Sequence, residues 1–514
     1  MPSPDPSDPR RNSPSPVTSS AAASPAAGGP TPAAMSTSET VSSPAAVSTS
    51  TPDMERRDEA GRPGRLGDEG AHGPLEMPRR LDAFSGALVV VASMIGMGVF
   101  STTGFLAKDL ASPWVIVTAW GLGGLAALCG ALCYAELGAA LPHNGGEYQL
   151  LTRIYHPGVG MIAAWNSLIV GFSAPLAAMG LNFGELLAPL FPQAPAESAR
   201  FLASGLIVCC ALFHSGQIRS GLRFHNLATL FKLLLIAGFI VAGLASARGG
   251  MWTEPTALPW WDGVRSAPFA VGLYYIFFSY SGWNSATYLA GEIRDPGRNV
   301  PRALWMGTLL VTVLYVLLNV VFLAAAPREL LAESGPRVAV VAAQALFGSR
   351  AAFGMTLLIA CGLIATVSAM TISGPRVYEA AGRDYSRLSL LAFRSPERGP
   401  TFAILLQSIL ALIFVWLLNV RTLLEYISFT LSMFTALTAT GVLVMRFREP
   451  HLPRPYRVWA FPLPPLFLAG LEVWMVAQTV RSRPLTVLAG LATLAVGLVI
   501  YLCVARSRRT LPTD

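Results

Sequence analysis

One apolar segment after another, each about 20 residues or more, runs from Leu81 to Val504 with only short polar stretches between them. Such a segment is what an α-helix needs to cross a bilayer, because in hydrocarbon every backbone N–H and C=O must be bonded within the segment. Roughly twelve are read, at about 82–107, 113–141, 158–190, 199–217, 225–247, 264–291, 300–326, 339–375, 400–419, 421–446, 459–480 and 484–505. Hydrophobic residues make up 53% of the 514 and charged ones only 13%, too few to cover a water-soluble surface. The chain reads as an all-α polytopic membrane protein whose first partner is the lipid bilayer.

The formal charge of +8 does not gather on one soluble face, so no nucleic-acid partner is expected. Its carriers sit between apolar runs. Arg294, Arg298 and Arg302, then Arg446, Arg448, Arg454 and Arg457, then Arg506, Arg508 and Arg509 fall on one side of the membrane. Lys108, Arg200, Arg328 and Arg421 belong to the other side, which carries roughly half as many basic residues. By the positive-inside rule both termini are cytoplasmic, and an even number of crossings agrees with a multi-pass protein of the cell inner (cytoplasmic) membrane.

Residues 1–78 are rich in Ser, Pro, Ala and Gly without apolar periodicity, the composition of a disordered cytoplasmic tail. No apolar core follows Arg10 and Arg11, so a cleaved signal peptide is not expected, and Met77 offers an alternative start just ahead of the first span. The six cysteines fall inside spans and suit packing better than disulfides. His143, His156, His214 and His225 lie near span ends without ligand spacing. No nucleophile, acid–base pair or metal set converges, so neither an enzyme nor a cofactor is expected.

The first span contains "MIGMGVFSTTG", Met94 to Gly104. Two glycines one residue apart weaken a helix by about 1 kcal/mol each relative to alanine. The sixth span carries "FFSYSGWNSATYLAGE", Phe277 to Glu292; setting Gly98 on Gly282 puts Ser101 on Ser285 and Thr103 on Thr287. The first and sixth spans would open two five-helix halves of opposite orientation, an inverted-repeat layout, although close packing at small residues explains either glycine alone. A break inside the membrane leaves backbone groups in need of polar partners. Free N–H groups around Gly96, Met97 and Gly98 suit a carboxylate, and carbonyls around Phe278, Ser279 and Tyr280 suit an ammonium. An amino acid carries both groups on one carbon.

These stretches, with "YAELGAALPHNGGEYQLL" at 134–151, "YSGWN" at 280–284 and "GEIRDPGRNVPRAL" at 291–304, resemble the amino acid–polyamine–organocation (APC) transporter superfamily, and within it bacterial relatives of the L-type and cationic amino-acid transporters. The resemblance spans about residues 80–505. It implies twelve transmembrane helices in a LeuT-like five-plus-five inverted repeat with broken helices 1 and 6, and alternating access. It places a transport core at 79–446, with repeats at about 82–247 and 264–446, then two further helices at 447–505 and a cytoplasmic end at 506–514. It also implies substrate recognition by Ile95, Gly96, Met97, Gly98, Phe278, Ser279, Tyr280, Ser281, Gly282 and Asn284, with Phe278 as an aromatic gate. Met97 departs from the family's small serine, a change expected to narrow the pocket.

Lys232 lies a third of the way into the fifth span, where a lysine is expensive unless it finds a partner or snorkels to the interface. The resemblance gives it the place of a sodium ion against carbonyls of the broken first helix, with a proton as the candidate coupled species. Thr366, Ser368 and Thr371 are the competing sodium ligands. Glu136, near the inner end of the second span, is expected to meet an arginine and help close an inner gate. The function expected is sodium-independent amino-acid transport, by proton symport or exchange, with no obligate partner subunit. The alternatives are a non-transporting amino-acid sensor and an inorganic-ion carrier of the same superfamily.

Overall fold

The computed structural model describes residues 81–110, 112–143, 145–191, 193, 195, 197–215, 221–247, 259–393 and 400–508. The tail expected over 1–78, Met77 within it, and residues 509–514 of the C-terminal end lie outside them.

The described residues are helical throughout, and their only β pairings are two isolated bridges, Leu81 with Ile293 and Tyr385 with Arg508. The first span is two helices, α1 (Ala83–Met94) and α2 (Gly98–Asp109). α3 (Pro113–Ala140) leads to the short α4 (Glu147–Ile154). The third span is α5 (Pro157–Asn166), a π-helical stretch over Ser167–Ser173, and α6 (Ala174–Leu187). α7 (Ser198–His214) and α8 (Gly221–Ser246) follow, then the short α9 (Trp260–Val264). The sixth span is again divided, into α10 (Ala267–Tyr280) and the one-turn α11 (Ser285–Tyr288). After α12 (Pro296–Ala325) come α13 (Arg328–Glu333), α14 (Val338–Phe347) and α15 (Ser349–Asp384). The last four are α16 (Thr401–Leu417), α17 (Val420–Arg448), α18 (Leu463–Ser482) and α19 (Pro484–Val504).

Prolines 113, 157, 296 and 484 open α3, α5, α12 and α19, where a missing N–H costs nothing. Asp82 caps α1, its Oδ1 accepting from the Ser85 N–H at 2.8 Å. Among the described residues nine helical segments are long and apolar enough to cross a membrane. Three further expected spans are shorter: α7 and α16 have 17 residues each and α10 has 14. The single span read over 339–375 is two helices, because Gly348 takes the left-handed φ of 82° and turns the chain between α14 and α15.

α12 packs along both α1 and α3, α6 against α7, and α17 against α18, so the first span is enclosed by helices distant in sequence. The Leu81 N–H donates to the Glu292 carbonyl at 3.0 Å and the Arg294 N–H to the Leu81 carbonyl at 2.8 Å. These two bonds tie the start of α1 to the segment that follows α11.

Candidate functional site

The helical ladder is interrupted at Ile95–Met97 and at Ser281–Asn284, the two places where glycines fall in "GMG" and "SGWN". Each break opens the N-terminal end of a new helix, whose first N–H groups lack the usual acceptor a turn back; the Gly96 N–H turns instead onto the Met94 carbonyl at 2.8 Å, Phe100 onto Met97 at 3.0 Å and Ser285 onto Gly282 at 3.0 Å. Gly282 has φ of 101°, a value that a residue with a Cβ rarely adopts. The two breaks lean on each other. A Cβ on Gly98 would run into Ser279, backbone included, and one on Gly282 would come within 2.8 Å of the Ser93 backbone. Thr102 and Ser279 share a hydroxyl contact of 2.9 Å. Tyr315 of α12 joins both: its hydroxyl lies 2.6 Å from the Met94 carbonyl and 3.1 Å from the Ser279 carbonyl, the ends of the two first half-helices.

Lys232 enters this region from α8. Its side chain is buried, and Nζ donates to the Ile95 carbonyl at 2.9 Å, inside the first break. Gly362 of α15 leaves room for the stem, which passes 3.5 Å from where a Cβ would sit. The Thr366 hydroxyl donates to its own helix at Gly362, 2.9 Å away, and lies 3.4 Å from the same Ile95 carbonyl. Thr371 likewise bonds to its own backbone at Val367, and Ser368 pairs with His214 at 2.7 Å. Lysine therefore makes the shortest of these contacts to the broken strand of backbone.

A cavity of about 100 Å³ opens beside the second break. Phe278, Ser281, Gly282 and Asn284 line it, with Ser93, Phe172, Tyr288, Ser373, Ser432 and Glu472 among the others. Ile95, Gly96, Met97, Gly98, Ser279 and Tyr280 are not on its wall. Met97 is fully buried, and Tyr280 is turned away, its hydroxyl donating to the Trp120 carbonyl at 3.1 Å. Glu147, at the start of α4, accepts from the Tyr134 hydroxyl and from Asn284 Nδ2 at 3.4 Å. Burial pushes its carboxyl above the usual range, while those two donors pull it back. The hydroxyl of Tyr315 and the acids Glu147 and Glu472 are absent from the sequence-based site, though a lone acid in the apolar "AGLEVW" carries the same signal as Lys232.

Glu136 meets two arginines. Arg446 Nε and Nη2 donate to it at 2.9 and 2.6 Å, the Val458 N–H at 2.7 Å, and Arg454 Nε lies 3.5 Å away. The carboxylate thus fastens α3 to the end of α17 and to the chain beyond it. Removing one member of a buried pair strands the other charge. Glu136→Ala is expected to cost about 3–5 kcal/mol of stability, and Glu136→Gln less, read as a loss of monodisperse protein in detergent. Glu292–Arg376 at 3.1 Å and Arg383–Glu379 at 2.5 Å are further ion pairs at helix ends. Among the described residues no group of His, Cys, Asp and Glu is placed to hold a metal.

The amino acid permease family model matches residues 81–505. The b(0,+)-type amino acid transporter 1 of Homo sapiens is 30% identical over 419 residues, covering 79% of this chain and 84% of the relative. Its Mus musculus counterpart is 29% identical over 420 residues, with the same two coverages. The large neutral amino acids transporter small subunit 2 of Homo sapiens is 29% identical over 442 residues, 84% of this chain and 81% of the relative. Two interrupted helices joined by one tyrosine, a lysine in the first interruption and a cavity at the second thus stand in a chain matched from its first described residue almost to its last: the protein belongs to the amino acid permease family of membrane transporters, not to the enzymes.

Proposed function

We propose that this chain carries amino acids across the cytoplasmic membrane by alternating access, independently of sodium. The α-carboxylate is received by N–H groups at Gly96–Gly98 and the ammonium by carbonyls at Phe278–Gly282, with Phe278 closing over the ligand. In support of this, both helices break where those residues lie, and relatives at about 30% identity are named amino acid transporters. The observation that carries the sodium-independent reading is the Lys232 ammonium on the Ile95 carbonyl, a fixed cation inside the first break. The twelve crossings, the inverted repeat over 82–247 and 264–446, and cytoplasmic termini belong to the same proposal, as does the inner-gate role of Glu136.

Uptake of labelled leucine into proteoliposomes tests it. The rate is expected to stay the same when sodium is replaced by choline, and an imposed inward proton gradient should raise accumulation if Lys232 also releases its proton during the cycle. Strict sodium dependence returns the ion site to Thr366, Ser368 and Thr371. Binding without flux marks a sensor, and flux of an inorganic ion alone marks an ion carrier.

A further inference from the structure

α18 carries a single acid, Glu472, between apolar neighbours. The residue is 1% exposed and lines the cavity, yet neither carboxylate oxygen has a hydrogen-bond partner among the described residues. Among the described residues the Ser432 hydroxyl of α17 is the one polar side chain close enough to act on it, and the Tyr274 hydroxyl of α10, with Thr479 beside it, lies within reach of its charge. An unpaired buried carboxylate is among the costliest groups a protein can hold. The cavity wall supplies no cation, for it contains no Lys, Arg or His. The second acid on the wall, Glu147, is already engaged by Tyr134 and Asn284. The hydroxyls of Ser428, Ser432 and Thr435 stand on the same wall, ready to share an N–H-rich guest. What the wall does not offer these oxygens is a positive group with several donors.

We propose that Glu472 is the recognition carboxylate for a cationic side chain, so that the cavity takes basic amino acids of the arginine or lysine kind. This rests on the amino-acid reading given above. A guanidinium or ammonium entering beside Phe278 would satisfy both oxygens of Glu472 at once.

The test uses the full chain, with labelled arginine and labelled leucine, in proteoliposomes and in detergent thermal-shift measurements. Glu472→Gln, which keeps the shape and removes the charge, is expected to lower the arginine-to-leucine uptake ratio at least about tenfold, and to abolish the arginine-induced rise in melting temperature. An unchanged ratio overturns the proposal and leaves Glu472 solvated by water alone. So does a wild type that moves leucine but is neither stabilised by arginine nor able to carry it. On the wild type alone, arginine should compete with leucine at least about tenfold better than citrulline, its near-isosteric neutral analogue, and equal competition also overturns the assignment, even if the glutamine variant fails to fold. Arginine stabilisation that is lost in the variant, in a protein that moves neither amino acid, removes the transport reading while the Glu472 assignment stands.

Discussion

Lys232→Ala should lower amino-acid uptake into proteoliposomes by at least about tenfold, with the protein still monodisperse in detergent. The ammonium and the Ile95 carbonyl are 2.9 Å apart and buried, so alanine leaves an acceptor inside the first break with no strong donor. An unsatisfied buried group costs about 1–3 kcal/mol, and each 1.4 kcal/mol is tenfold in an equilibrium constant. Thr366 does not repair the loss, because its hydroxyl proton is committed to Gly362 at 2.9 Å and it stands 3.4 Å from Ile95. Lys232→Arg is expected to fail as well: the planar guanidinium fork is larger than the ammonium and does not take its place as a compact point charge on one carbonyl. Uptake within twofold of wild type in Lys232→Ala would show that the lysine is not part of the transport machinery.

Gly98→Val should abolish uptake, and the geometry requires more than a blocked carboxylate site. A Cβ at this position overlaps Ser279 at its side chain and at its Cα, so the first and sixth spans must separate before any side chain is accommodated. Even Gly98→Ala is therefore expected to lower both uptake and melting temperature. Gly121 supplies the control, since a Cβ there meets nothing within 4 Å. Gly121→Ala should be neutral or stabilising by up to about 1 kcal/mol through helix propensity. Normal uptake and stability in Gly98→Ala would mean that the two breaks do not need this close approach.

The sequence carried the positions of both interruptions, because glycine is a local signal and each interruption falls on one. It also carried Lys232 and Glu136, because a charge in an apolar span needs a partner wherever that partner lies. The identity of the partners was not legible. The Ile95 carbonyl and Arg446 are separated from them by 137 and 310 residues, and no local pattern announces such a pairing. Tyr315 stayed hidden for another reason: in "TVLYVLLNVV" a tyrosine reads as one more large apolar residue, and only the fold turns its hydroxyl onto two carbonyls. The run over 339–375, too long for one crossing, was expected to include a turn, and Gly348 supplies it with its left-handed φ of 82°. The wall of the cavity was half readable. Phe278, Ser281, Gly282 and Asn284 follow from their own segment, while Ser93, Phe172 and Ser432 arrive from three other helices.

The pairing of Leu81 with Glu292 and Arg294 has a mechanical consequence. It joins α1, one arm of the first interrupted helix, to the stretch after α11, one arm of the second, by two backbone bonds independent of any side chain. Each interruption taken singly is a hinge with its own freedom, but arms joined in this way have one shared degree of freedom. A tilt that displaces Leu81 must carry the segment at Glu292–Arg294 with it or break both bonds. In the alternating access proposed above, the two joints would therefore turn together as a single crank.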